Sequence, residues 1–77
     1  MVKIYTTPTC PWCRMAKQYF EKKNVSYEEH DVSSDLKARD LMFQKSHQMG
    51  VPVIEIEGEI IVGFNRAEID RALALKS

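Results

Sequence analysis

Cys10 and Cys13 are the only two cysteines in the 77-residue chain, placed three positions apart in Cys10-Pro11-Trp12-Cys13. Thiol–disulfide exchange needs one exposed, ionised sulfur and a second held close enough to resolve the mixed disulfide. Cysteines so spaced on a helical turn share a face, with Cβ atoms roughly 5–6 Å apart, and a modest adjustment closes them to bonding distance. The first of such a pair sits where unpaired backbone N–H groups and the positive end of the helix dipole converge, which favours thiolate over thiol. Cys10 is therefore expected to attack, and Cys13, one turn inside the helix, to resolve. A stapling role explains the pair poorly, because a bridge closing so short a loop hardly restrains the unfolded chain. Zinc would need two further ligands, and there is no second cysteine pair. His30 falls along a strand and His47 near a helix end, so neither is assigned a metal.

The neighbours of the pair supply surface and backbone. Pro11 stiffens the turn between the sulfurs. Trp12 lies at the loop-to-helix junction, off the helix's apolar stripe, and reads as an exposed contact surface for substrate. Arg14 and Lys17 read as solvated helix charges that add positive potential. In Gly50-Val51-Pro52 the proline leads into a strand, where turn chemistry explains it and a trans bond is the default. Just before a hairpin strand, however, it also sets a loop facing the dithiol. There the Val51 backbone would offer N–H and C=O groups to an extended substrate by strand addition.

The elements that must position these residues follow from pattern and punctuation. Val2–Thr6 alternates and is rich in β-formers, so it reads as a strand. Thr7-Pro8-Thr9 ends it, Thr9 or Cys10 caps a helix with Pro11 in its first turn, and Cys13 to Lys23 continues it. Ala16, Tyr19 and Phe20 form the inward face of that helix. Val25–Val32 reads as a second strand. Ser33 or Ser34 is expected to cap a helix from about Asp35 to Gln48, with Phe43 in the core two turns from Leu36. Met15, Met42 and Met49 read as core filler and adaptable surface. Val53–Ile56 and Glu59–Val62 are strands joined by a tight hairpin turn at Glu57-Gly58-Glu59. Asn65 with Glu68 opens a last helix, with Ile69 and Leu73 inward.

The order β-α-β-α-β-β-α predicts an α/β fold. Its first two strands are joined by a helical crossover and parallel, and its last two form an antiparallel hairpin, giving a four-stranded mixed sheet flanked by three helices. Length and the absence of any linker predict a single domain over residues 1–77. Eleven acidic and eleven basic residues balance, which leaves no electrostatic footprint for nucleic acid or an anionic membrane. No signal-peptide pattern opens the chain and no apolar run approaches the ~20 residues of a membrane span. A cytoplasmic protein is expected.

On these residues the sequence resembles the glutaredoxins of the thioredoxin-fold superfamily, and among them the glutaredoxin-like redoxins that donate electrons to ribonucleotide reductase. The resemblance covers essentially the whole chain and is most specific in Tyr5-Thr6-Thr7-Pro8-Thr9-Cys10-Pro11-Trp12-Cys13. It implies a thioredoxin fold and a dithiol oxidoreductase that acts as a monomer on protein disulfides or glutathionylated thiols without a bound cofactor. Glutathione enters, if at all, as a co-substrate. It also implies a cis bond at Pro52, because Val51-Pro52 matches the end of the family's Thr-Val-Pro segment. Gly63-Phe64-Asn65 falls where glutaredoxins hold the γ-glutamyl group of glutathione, and Gln48 stands where they often have Arg or Gln. Trp12, Gln48, Val51, Pro52, Gly63, Phe64 and Asn65 are thus the implied substrate or glutathione contacts.

Two positions depart from the glutaredoxin pattern. Thr7 occupies the place of a common lysine, and Val62 replaces the first glycine of a Gly-Gly pair; Gly63-Phe64-Asn65 is closer to the Gly-Phe-Arg of the reductase-linked redoxins. Both point to weak turnover with glutathione. The implied partners are protein disulfides such as those of ribonucleotide reductase or a peroxidase, with a thioredoxin-reductase-like flavoprotein or glutathione as electron donor. A glutathione-assisted [2Fe–2S] carrier is the alternative that the resemblance allows.

Overall fold

In the computed structural model, which describes residues 2–48 and 50–76, four strands form one sheet. The elements in chain order are β1 (Val2–Thr6), α1 (Pro11–Lys22), β2 (Glu28–Asp31), α2 (Leu36–Ser46), β3 (Val53–Ile56), β4 (Glu59–Val62) and α3 (Arg66–Lys76). Across the sheet the strands run β2-β1-β3-β4, with β1 parallel to β2 and antiparallel to β3, and β3 antiparallel to β4. This is the thioredoxin-type arrangement that the sequence predicts.

Strand alternation divides the core into two layers. Val2, Ile4, Ile54, Ile56 and Ile61 face α1 and α3, where Ala16, Phe20, Ile69 and Ala72 meet them. The opposite face carries Tyr5 and Val53 against Ala38 and Met42 of α2, with Val32 beside them. Both faces of the two central strands are covered, so β1 and β3 are nearly continuous in apolar residues. Register fixes the site: Ile4 pairs with Ile54 and Tyr5 with Val53, while Val53 also pairs with Val62. The loop after β1, the segment before β3 and the segment after β4 therefore meet at one end of the sheet.

Several expectations are corrected in detail. Strand β2 begins at Glu28 rather than Val25, because α1 needs the preceding backbone for its own ending. Asn24 is left-handed (φ 56), its N–H donates to Glu21 O, and Val25 N–H donates to Phe20 O at 2.9 Å. That is a Schellman ending, in which the apolar residue after the turn packs back on the helix; Val25 accordingly packs against the layer containing Phe20. The cap of α2 is Asp35, whose Oδ1 accepts from Ala38 N at 3.1 Å. Ser33 and Ser34 are engaged one step earlier, donating to Asp31.

Helix α2 also ends at Ser46, with left-handed His47 behind it, so Gln48 lies beyond the helix. Phe43 is 48% exposed rather than core. The stripe that α2 buries is Ala38 and Met42, and Phe43, 100° further round, falls outside it. Met42 is fully buried and Met15 exposed; Met49 lies outside the described residues. Asn65 Oδ1 accepts from Glu68 N as expected, but the Glu68 carboxylate turns to Arg71 instead of closing a capping box.

Replacing the observed cap tests this reassignment. Asp35→Ala is expected to destabilise the protein by about 1 kcal/mol, whereas Ser34→Ala should stay within about 0.5 kcal/mol. Equal losses in chemical denaturation would return the cap to the serines.

Candidate active site

Helix α1 begins on the first sulfur. Cys10 is its N-cap in an extended conformation (φ −91°, ψ 113°), and its Sγ accepts a hydrogen bond from Cys13 N at 3.1 Å. Pro11 takes the first helical position, where a missing N–H costs nothing, and Arg14 N donates to Cys10 O. Both cysteines are free thiols; Cys10 is partly exposed and Cys13 is 1% exposed. Burial pushes the Cys13 thiol up to about 12. Its side-chain hydrogen bond with Cys10 acts the same way, and a backbone hydrogen bond at Thr7 opposes the rise.

The facing wall is the segment before β3. The Val51–Pro52 peptide is cis, as the resemblance implies and against the general preference for trans. Cys10 Sγ points at Val51 O at 4.0 Å, and Pro52 is buried. Gly63 N donates to Pro52 O at 2.8 Å, which ties the segment after β4 to this wall. Gly63 has φ +82 with open space around it, a backbone conformation that a side chain would strain.

Trp12 is 58% exposed and stands between two depressions. The smaller, about 280 Å³, lies among Trp12, Val51, Pro52, Gly63 and Phe64. The larger, about 900 Å³, runs along α1 past Met15, Gln18 and Tyr19, with the Val62–Arg66 segment opposite. Trp12, Gly63 and Phe64 line both, so the two make one groove beside Cys10.

Trp12, Val51, Pro52, Gly63 and Phe64 line the smaller depression and Asn65 the larger, and the contact of Cys10 Sγ with Val51 O joins the first of them to the dithiol. Gln48 is not among them. Its side-chain amide is spent on Gly50, donating to Gly50 O at 3.0 Å and accepting from Gly50 N at 2.6 Å. Sequence pattern missed Met15, Gln18, Tyr19 and Arg66 as groove residues. Tyr19 reads as inward-facing by helical spacing but is only half-buried.

Lys17, one of the two basic residues beside the pair, is ion-paired. Lys17 Nζ lies 2.9 Å from Glu29 Oε2, which also accepts from the buried Thr6 hydroxyl at 2.9 Å. The Lys17 hydrogen bond, aided by Thr6, holds the Glu29 carboxyl below its usual range. Lys17 is the weakest of the influences on Cys13. His30 stacks on Tyr5 at 5.3 Å and lies 3.6 Å from Glu28. Among the described residues, no group of three or more His, Cys, Asp or Glu is placed to hold a metal ion, and no helix is long and apolar enough to cross a membrane.

Comparison with known proteins agrees with this geometry. Residues 2–61 match the glutaredoxin family model. A glutaredoxin-like 8.6 kDa protein of the rubredoxin operon of Clostridium pasteurianum is 53% identical over 73 residues, covering 95% of this chain and 97% of its own. Glutaredoxin 3 of Escherichia coli K12 is 37% identical over 62 residues, covering 80% and 75%. The solved structure of the glutaredoxin-like protein NrdH-redoxin of Escherichia coli superposes with a TM-score of 0.82 at 23% identity, covering 91% of each chain. The chain belongs to the glutaredoxin family, whose members are thiol–disulfide oxidoreductases. It is a glutaredoxin-like redox protein carrying one cysteine pair, Cys10 and Cys13.

The unequal burial of the two sulfurs has a direct chemical readout. With the reduced folded protein at pH 8, iodoacetamide is expected to label Cys10 alone, since a thiol pushed up to about 12 stays protonated and unreactive there. Denaturant should release the second label. Rapid double labelling of the folded protein, read by mass spectrometry, would contradict the assignment.

Proposed function

We propose that the protein is a dithiol reductant of protein disulfides in which Cys10 attacks and Cys13 resolves. The observation that carries this is the pairing of a partly exposed Cys10 Sγ at the start of α1 with a Cys13 that is 1% exposed one turn below it. In the first step the Cys10 thiolate attacks a substrate disulfide, forming a Cys10–substrate disulfide and releasing a substrate thiolate that takes up a proton. Cys13 then gives up its proton to the departing thiolate and attacks Cys10 Sγ. The mixed disulfide breaks, the second substrate thiol leaves, and two electrons have passed from the protein to the substrate. The Cys10–Cys13 disulfide awaits re-reduction.

The groove supports an extended substrate. The Val51 backbone, beside a buried Pro52 and within reach of Cys10, suits pairing with a substrate strand. Trp12 and Phe64 supply apolar walls, and Gly63 and Asn65 the opposite backbone. Residues 1–77 would serve as one unit, acting as a monomer, and the reaction needs no bound cofactor.

As for the electron donor, glutathione would have to use the contacts around Val51, Gly63 and Asn65. Thr7 and Val62 are not the residues that best serve it by family resemblance, and Gln48 is occupied by Gly50. A thioredoxin-reductase-like flavoprotein is therefore the favoured donor, and disulfides of an enzyme such as ribonucleotide reductase or a peroxidase the favoured acceptors. The iron–sulfur alternative draws no support from the geometry of the site.

Two experiments test this reading. Cys10→Ser should abolish all activity. Cys13→Ser should block reduction of protein disulfides while a glutathione-dependent monothiol reaction survives. Dithiol-reductase activity persisting in Cys10→Ser would end the assignment. Re-reduction of the oxidised protein, followed by NADPH consumption, should be faster with thioredoxin reductase than with glutathione and glutathione reductase; the reverse order would restore glutathione as donor.

A further inference from the structure

The larger half of the groove extends well past the reacting sulfur, and one residue in it is held by more contacts than packing requires. Tyr19 lies on the groove side of α1. Its hydroxyl donates to Asp70 Oδ1 on α3. Lys23 Nζ sits 3.2 Å from the same carboxylate and 5.1 Å from the Tyr19 ring centroid. Phe64, on the opposite lip, meets the Tyr19 ring edge-on at 5.8 Å. The ring is thereby fixed from behind by a charged pair and in front by a second aromatic, so its position is set by three side chains from two other segments and its own helix.

We propose that Tyr19 is a specificity-determining residue: clamped by Asp70, Lys23 and Phe64, its ring closes the far end of the groove as an apolar subsite for a side chain of an extended protein substrate. The proposal rests on the dithiol reading above and names a second feature that the substrate must carry. Continuity supports the occupant, because Trp12 and Phe64 line both the part of the groove beside Cys10 and the part that reaches Tyr19. Met15 and Val62, both exposed, continue the apolar lining between them. Cys10, where the substrate cysteine is bound, and Tyr19 are nine positions apart along α1 and its cap, a rise of about 13.5 Å. An extended chain covers that distance in about four residues. The favoured substrate thus has an apolar residue about four positions from its reacting cysteine.

Two disulfide-bonded peptides, identical except for Leu or Ser four positions from the cysteine, test the inference. The native protein is expected to favour the Leu peptide by about tenfold in kcat/KM, carried by KM, a range that one apolar contact in a pocket supplies. Tyr19→Ala should collapse that ratio toward one. Tyr19→Phe, which keeps the ring, and Asp70→Asn, which keeps the side-chain shape, should retain part of it and control for loss of folding. No discrimination by the native protein, or equal losses on both peptides in Tyr19→Ala, would overturn the subsite. A loss confined to a glutathionylated peptide would also overturn it, by making glutathione the occupant. Failure of the native protein to reduce either peptide would instead count against the dithiol reading itself.

Discussion

The hydrogen bond from Cys13 N to Cys10 Sγ makes the redox pair and the beginning of α1 a single structural feature. A helix leaves its first N–H groups without partners, and a side chain at the N-cap must accept from one of them. Here the acceptor is a sulfur. Pro11 removes one of the competing donors, and Arg14 closes the first backbone turn on Cys10 O. The chain can place neither sulfur independently of the helix, and the helix cannot shift without moving both. Anchoring α1 therefore anchors the chemistry. That task falls to Ala16 and Phe20, which are fully buried against Ile4, Ile54 and their neighbours, with roughly 1.5–3 kcal/mol from burying the Phe20 side chain alone.

The remaining walls depend on strand direction. Because β3 runs antiparallel to β1, its entrance lies beside the exit of β1, and Val51–Pro52 comes to face Cys10. Because β4 returns antiparallel to β3, its exit lies there too, bringing Gly63 to Pro52 O. The tight turn that makes this possible uses positive φ at both Glu57 (48) and Gly58 (89), the turn geometry that matches the twist of a two-residue hairpin. Three segments far apart in sequence are thus assembled by two antiparallel pairings, with no long loop needed.

Much of this was legible in the residues. β1, β3 and β4 are short, strongly β-branched and bounded by Pro or Gly, so their limits agree with the sequence reading residue for residue. The start of α1 was legible because proline and the cysteine spacing both demand it. What failed was decided by competition between neighbouring groups. Val25 has strand character, but its N–H is claimed by the end of α1. Ser33 and Ser34 are good caps, but Asp31 engages both. Phe43 has the hydrophobicity of a core residue, but the residues that α2 buries are Ala38 and Met42. Each competitor lies within a few residues, yet which one prevails depends on where the sheet places the backbone.

The same logic explains why the two thiols differ although one helical turn separates them. Cys10 stands at the rim, where α1 emerges from the sheet, and Cys13 points down into the core side of the helix. Ionising Cys13 costs desolvation that the backbone hydrogen bond at Thr7 and the Lys17 ammonium, itself paired with Glu29, offset only in part. In the proposed cycle this inequality keeps the pair from competing for substrate. Only Cys10 is partly exposed to an incoming substrate, and Cys13 becomes the nucleophile when a mixed disulfide is held on Cys10 and a departing thiolate is there to take the proton. The order in which the two sulfurs act is then set by burial rather than by any difference in the residues themselves.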